Sequence, residues 1–154
     1  MTGSLAGHSR VGVDSNVLIY LLEGSGPLAD AAGQLLDAMA LGRLEGVLAT
    51  LAIAEVGSGP ARGGDAAMVE RYADELTSLE GVRVLPLARD VAVEAAVIRG
   101  NSSLAIADAA HLATARLAGA TAFVTNDRRI ASIPGLEVVY LDEIEPAAQA
   151  SALG

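Results

Sequence analysis

The strongest structural signal in the chain is the segment of residues 98–130, which reads IRGNSSLAIADAAHLATARLAGATAFVTNDRRI. Its apolar positions follow helical spacing from about Ile106, and TAFVT at 121–125 is a short apolar run typical of a buried strand. Asp108 lies in the helical part among small and apolar neighbours, and Asp127 comes just after the strand. The segment therefore predicts a helix and then a strand, and each brings an acidic side chain with it.

The same alternation of helices and short apolar strands continues through the rest of the chain. Further strands are predicted at the apolar run that ends near Asp14 and at 47–50, 82–87 and 136–141, and further helices at 17–24, 27–41, 64–81 and 90–100. Gly24 and Pro27 stand where a helix end and a helix start are expected. Helices that separate short apolar strands are typical of a layered α/β fold with a mostly parallel sheet.

The helix predicted around Glu55 is short. LAIAEV at 51–56 has helical character, but GSGP at 57–60 follows it at once. Glycine and proline are the poorest residues for a helix interior. We therefore expect the helix to break soon after Glu55, which would shift that side chain or make the next loop mobile.

Size and composition favour a single domain. The chain has 154 residues and few aromatic ones, so its one core is built from Ala, Val, Leu and Ile. We predict a flexible lead-in over 1–10, one domain over 11–142 and a tail over 143–154. No apolar run reaches membrane-spanning length, and the lead-in lacks the apolar region of a secretory signal. These features predict a cytoplasmic protein with no membrane partner.

Charge and cysteine content narrow the classes of function. The chain contains no cysteine, which excludes disulfides, thiol catalysis and metal–thiolate sites. Its formal net charge of −9 argues against tight, non-specific binding of nucleic acids, which usually needs a basic surface. The acidity does not exclude a nuclease whose metal ions neutralise the charge locally, and it suits a basic protein partner.

Four acidic residues lie at the edges of predicted elements or inside apolar runs. Asp14 and Asp127 follow strands, at the carboxyl edge where open parallel sheets bind their ligands. Glu55 and Asp108 are lone charges in apolar helical stretches. Asp14 and Asp108 also suit helix caps, Glu55 a solvated helix face, and Asp127 a turn. If all four converge, their repulsion requires a bound cation or the protonation of some members.

The small number of histidines limits the choice of metal. His8 lies in the lead-in and His111 lies one helical turn after Asp108, which argues against a multi-histidine zinc site. A ligand set made only of oxygen atoms favours Mg²⁺ or Mn²⁺. We interpret His111 as a structural residue. For Arg128 and Arg129 we favour solvated positions at a helix start over contacts with a phosphate or an acidic partner.

Three stretches of the chain resemble those of a known protein family. They are VGVDSNVLIYLLEG at 11–24, TLAIAEV at 50–56 and the segment 98–130. Together they resemble PIN-domain ribonucleases, and most closely the toxin half (VapC-like) of VapBC toxin–antitoxin modules. The resemblance extends from about Val11 to Leu141. It implies a three-layer PIN-like fold, with a central, mostly parallel sheet of about five short strands flanked by helices.

The resemblance also assigns roles to individual residues. It implies four catalytic acids: Asp14, Glu55, Asp108 and Asp127. Three of them, Asp14, Asp108 and Asp127, are the implied ligands of Mg²⁺ or Mn²⁺. The secondary polar contacts are Ser15, Asn16, Thr125 and Asn126. The implied protein is a metal-dependent endoribonuclease that hydrolyses RNA phosphodiester bonds, forms a homodimer and is inhibited by a cognate antitoxin.

Three other classes of protein share parts of this pattern. A catalytically inactive PIN-like binding or scaffold module is the main alternative, although the presence of all four acids argues against a decayed site. A receiver domain also gathers acids at strand ends, but it needs a lysine and the chain has none. A dinucleotide-binding fold needs G-x-G-x-x-G after a strand, and the sequence contains no such motif there.

Overall fold

The architecture is given by a computed structural model, which describes residues 4–144 of the chain. Within this range the strands are β1 (Arg10–Val13), β2 (Glu45–Ala49), β3 (Val82–Leu85), β4 (Ala122–Thr125) and β5 (Glu137–Tyr140). The helices are α1 (Ser15–Glu23), α2 (Pro27–Ala40), α3 (Leu51–Arg62), α4 (Ala66–Thr77), α5 (Arg89–Gly100) and α6 (Ile106–Leu117), followed by a 3-10 turn at Leu141–Glu143. All neighbouring strands are parallel, in the order β3-β2-β1-β4-β5. The predicted α/β fold with a central parallel sheet is confirmed.

The sheet divides the interior into two apolar layers. On one face, α1 to α4 pack over side chains such as Val11, Val13 and Val124. On the other face, α5 and α6 pack over Phe123 and Leu136. Successive residues of a strand point to opposite faces, and this alternation along β4 separates Phe123 from Val124. The chain therefore has the predicted three layers. None of the helices in the described part of the chain is both long and apolar enough to cross a bilayer.

The helix that carries Glu55 does not break where the sequence predicted. α3 continues through Gly57 and Pro60 to its end at Arg62. Gly57 is buried against α4, where an added Cβ would lie 3.1 Å from Cγ1 of Val69, so the glycine permits close packing of the two helices. Pro60 lies in the last turn, where its missing N–H removes only one intrahelical bond. The prediction of an early break was wrong because packing against α4 outweighs low helix propensity.

The N-terminal segment makes contacts with the sheet. Nδ1 of His8 lies 2.8 Å from Oγ1 of Thr121, and its Nε2 lies 2.7 Å from Oε2 of Glu137. Part of the lead-in predicted over 1–10 is thus tied to the amino edge of β4 and β5. The tail predicted over 143–154 lies almost wholly outside the described residues. The domain boundaries stay a prediction.

Candidate active site

The strand order reverses between β1 and β4. From β1 the chain crosses to β2 and then to β3 on one side, whereas β4 and β5 lie on the other side. In open parallel sheets, the crevice beyond the carboxyl ends of the strands at such a switch point is the usual place for a ligand. Asp14 directly follows β1, and Asp127 lies two residues beyond β4. Both residues therefore lie at this crevice.

Asp14 is buried and has a structural role of its own. It caps α1 by accepting a hydrogen bond from the backbone nitrogen of Ser15 at 2.8 Å. The Thr125 hydroxyl donates to its Oδ2 at 2.7 Å, and the Asn16 amide donates to the same oxygen at 3.3 Å. Burial raises the pKa of Asp14 above its usual 3.8, while the charge of His111 and the hydrogen bonds from Thr125 and Ser15 act in the opposite direction. The predicted polar neighbours thus join β1, α1 and β4 around one carboxylate.

Glu55 is bound by His111, for which the sequence favours a structural role. Nε2 of the His111 ring is hydrogen-bonded to Oε1 of Glu55. Burial alone raises the pKa of Glu55, but the hydrogen bond and the charge of His111, with a smaller effect from the Ser15 side chain, outweigh it, so the pKa lies below its usual 4.5. Burial alone lowers the pKa of His111, but the bond to Glu55 and the charge of Asp14 raise it above its usual 6.5. The surroundings thus favour a carboxylate paired with an imidazolium.

Asp108 is the acid without a partner. It lies half-buried in the first turn of α6, and no group within residues 4–144 donates a hydrogen bond to its carboxylate. Burial raises the pKa of Asp108 above its usual 3.8, and the negative charges of Asp14 and Asp127, with a smaller effect from Glu55, raise it further. Charges affect one another this way only at short range. The structure therefore places the other three predicted acids within electrostatic range of Asp108.

Asp127 is bound by an arginine two residues further along the chain. The Arg129 guanidinium donates from Nε at 3.0 and 3.1 Å and from Nη2 at 2.6 Å to the two carboxylate oxygens. These side-chain bonds, with help from the backbone N–H of Arg129, hold the pKa of Asp127 below its usual 3.8. Arg128 donates to Asp142 at 2.6 Å and lies over the ring of Tyr140. Both arginines are exposed as predicted, and each also has the acidic partner that the sequence leaves open. The predicted helix start was wrong, because residues 128–129 form a turn.

The donor set fits a hard divalent cation, but the side chains are not arranged around one. The four acids offer only oxygen ligands. No positively charged side chain is hydrogen-bonded to Asp108, so its carboxylate is available to a cation. In the described part of the chain, no three acidic or histidine side chains are close enough together to hold a metal ion as they stand. Asp127 is occupied by Arg129. Metal binding by three of these acids therefore requires their side chains to move closer together.

Sequence reasoning missed His111 and Arg129 as members of the site. His111 lies three residues after Asp108, on the same face of α6, and this spacing was a usable signal. The other half of that contact, Glu55, is 56 residues away in the chain, and no pattern connects the two. Arg129 is so near to Asp127 in the chain that a contact within one turn could be anticipated.

Comparisons with known proteins agree with this architecture. A family model described as PIN domain matches residues 11–136. A toxin–antitoxin complex from Klebsiella pneumoniae is similar with a TM-score of 0.60 at 22% identity, covering 82% of this chain and 94% of that chain. FitAcB from Neisseria gonorrhoeae is similar with a TM-score of 0.66 at 22% identity, covering 87% and 99%. VapC20 from Mycobacterium tuberculosis, a sarcin–ricin loop cleaving toxin, is similar with a TM-score of 0.55 at 17% identity, covering 73% and 86%.

These matches differ in what they establish. No curated protein sequence matches the chain significantly. The solved structures are each less than 25% identical to this chain, so they establish a shared fold alone. The family model covers most of the chain, including Asp14, Glu55, Asp108 and Asp127 and the elements that carry them. The chain therefore belongs to the PIN domain family.

Proposed function

We propose that this protein is a Mg²⁺- or Mn²⁺-dependent endoribonuclease and the toxin of a toxin–antitoxin pair. The observation that carries the proposal is the convergence of four carboxylates at the switch point of the sheet, with Asp108 left unpaired. The similar structures include a toxin–antitoxin complex and a toxin that cleaves the sarcin–ricin loop. They support RNA as the class of substrate, and an RNA substrate favours action in the cytoplasm.

The residues of the site have different tasks in phosphodiester hydrolysis. Asp14, Asp108 and Asp127 are the residues that would hold the metal, which supplies an acidified water and positive charge at the scissile phosphate when it is bound. Thr125 fixes the carboxylate of Asp14 through its hydroxyl. The contact with His111 lowers the pKa of Glu55 and occupies its Oε1, so its second oxygen can orient the attacking water or accept its proton.

The purified protein is expected to cleave RNA with Mn²⁺ or Mg²⁺ and to lose that activity in EDTA. Because the metal binds only the native state and neutralises the repulsion among the acids, either ion at millimolar concentration should also raise the melting temperature. Cleavage is measured on a mixed pool of structured RNAs, and melting by circular dichroism.

Two outcomes would contradict this proposal. Cleavage that persists in EDTA excludes metal dependence. No cleavage with either ion, together with an unchanged melting temperature, favours the catalytically inactive binding or scaffold module.

A basic segment of a cognate antitoxin is the proposed inhibitor. The net charge of −9 and the converging acids create an acidic crevice, which attracts Arg or Lys of a partner. The contact of Arg129 with Asp127 is an internal example of a guanidinium bound to one of these acids. An arginine from the antitoxin would compete with the metal for the same oxygens.

The surface of α5 and α6 is the proposed homodimer contact. Val93, Val97 and Ile106 are 51%, 52% and 67% exposed, and an apolar groove of about 400 Å³ lies between Leu87 and the two helices. Exposed apolar side chains that lie near one another beside an apolar groove favour an interaction surface. The apolar side chains of α1 and α2 pack mostly in the core instead.

Val97→Glu is expected to convert a homodimer into monomers, because it places an unpaired charge in the apolar contact. Light scattering on a sizing column measures the mass at a concentration where the wild type is dimeric. Leu41→Glu is the matched control, since Leu41 is 64% exposed at the end of α2, and it should leave the mass unchanged. A monomeric wild type, or an equal effect of Leu41→Glu, contradicts this interface.

A further inference from the structure

His111 connects the two helical layers of the protein at the candidate site. It lies on α6, whereas its partner Glu55 lies on α3, and these helices pack mainly on opposite faces of the sheet. The bond between Nε2 of His111 and Oε1 of Glu55 therefore spans the carboxyl edge of the sheet. Among the side chains between residues 4 and 144, no other hydrogen bond joins α3 to α6.

The surroundings of the ring argue against an ordinary core histidine. His111 is 2% exposed, and its second ring nitrogen, Nδ1, has no hydrogen-bond partner among the described residues. An unpaired buried polar atom is unfavourable, and an apolar side chain at this position would avoid it. The polar contact that the ring does make is the one with Glu55. Binding Glu55 is therefore the task that requires a histidine here.

The same bond occupies one oxygen of Glu55, Oε1, and leaves the second oxygen outside it. The side chain is 34% exposed, and the nearby Ser15 side chain also lowers the pKa of this carboxyl group by hydrogen bonding. A free glutamate side chain samples many rotamers, and fixing one oxygen restricts them before substrate arrives. The second oxygen thus stays accessible from the crevice at a defined place.

We propose that His111 is a positioning residue for RNA cleavage, which holds the Glu55 carboxylate so that its second oxygen orients the attacking water or accepts its proton. This inference rests on the proposed function and deepens it. The ring is buried and its Nε2 is occupied, so His111 acts through Glu55 rather than on the water. A misplaced catalytic group slows the chemical step without weakening substrate binding, so kcat is the sensitive parameter.

A double-mutant cycle tests the role of the pair. His111→Leu is expected to lower kcat about 10- to 100-fold with KM nearly unchanged, and Glu55→Gln to lower kcat at least as far. Because His111 acts through Glu55, the double variant should be no slower than Glu55→Gln alone. His111→Gln keeps a side-chain donor for Glu55 and should recover most of the loss. His8→Leu, which changes the histidine at the amino edge of the sheet, is the matched control and should leave kcat unchanged.

Nuclear magnetic resonance of the metal-free protein reports the bond without any activity. The ring nitrogen resonances of His111 are expected to shift in Glu55→Gln and to stay at wild-type positions in His8→Leu. Unshifted resonances in Glu55→Gln overturn the inference whether or not the protein cleaves RNA. If the loss of kcat in the double variant equals the product of the two single losses, the positioning role of His111 is overturned, and the proposed function still stands. A wild type that cleaves no RNA overturns the proposed function, and the catalytic role of His111 with it.

Discussion

Asp108→Asn is expected to lower the rate of RNA cleavage by at least about 100-fold, the range found when one electrostatic contact to a reacting centre is removed. Asparagine has nearly the same shape but lacks the charge that balances a divalent cation. No described group donates a hydrogen bond to Asp108, so the substitution breaks no internal contact of the side chain. The rise in melting temperature caused by Mn²⁺ should shrink together with the activity.

In Asp108→Asn the free energy of unfolding should not fall, although the rate of RNA cleavage does. The pKa of Asp108 is raised in the folded protein, by burial first and then by the charges of Asp14 and Asp127. The folded state thus binds this proton more tightly than the unfolded state, so stability is lost as the pH rises from the usual 3.8 through the raised pKa. Without metal, Asp108→Asn should therefore be at least as stable as the wild type at about pH 8, and the difference should vanish as the pH falls toward 3.8. Urea unfolding in EDTA across this range measures it.

Two further variants separate catalysis from folding. Asp37→Asn changes an exposed acid on α2. It should alter neither the rate of RNA cleavage nor the rise in melting temperature caused by Mn²⁺. Asp14→Asn should also abolish cleavage, but this carboxylate caps α1 and accepts a bond from Thr125, so some stability is lost as well. Cleavage at the wild-type rate by a folded Asp108→Asn protein would exclude Asp108 as a metal ligand.

Most of the fold can be predicted because each strand is a short apolar run with its own signal. β1 and β4 lie where RVGV and TAFVT predict them. The prediction that failed concerns α3, where Gly57 and Pro60 indicate a break. Gly57 instead accommodates Val69 of α4, and a contact between two helices has no counterpart in the local propensity of either.

The candidate site can be predicted only where it follows strands. Asp14 and Asp127 come after neighbouring parallel strands, and a topological rule brings such positions to one edge. Glu55 and Asp108 lie on helices of different layers, and only the resemblance to the PIN family places them in the same crevice. His111 could not be assigned because its contact with Glu55 depends on how the two layers meet at the edge of the sheet. Hydrogen bonds of this kind follow from packing, which a single sequence does not encode in any local pattern.

Gly12→Ala is expected to destabilise the protein by about 1–3 kcal/mol or more, as overpacking of a filled core does. A Cβ added at Gly12, in β1, would lie 2.5 Å from Cβ of Ala115 and 2.8 Å from Cδ1 of Phe123. Non-bonded carbon atoms do not approach so closely, so α6 would have to move away from β1. Because α6 carries Asp108 and His111, such a movement would draw both away from the carboxyl end of β1. The loss of stability should therefore be accompanied by a smaller rise in melting temperature when Mn²⁺ is added.

The double variant Gly12→Ala/Ala115→Gly distinguishes overpacking from other effects of the first substitution. Ala115→Gly removes the nearest atom, so the double variant should be more stable than Gly12→Ala, even though glycine in a helix costs about 1 kcal/mol by itself. Gly33→Ala in α2 is the control, because its Cβ would meet nothing nearer than Cδ1 of Leu21 at 4.0 Å, and it should be neutral or slightly stabilising. Urea unfolding compares the four proteins. If Gly12→Ala is as stable as Gly33→Ala, then β1 and α6 do not meet this closely, and Gly12 does not set the separation between Asp14 and Asp108.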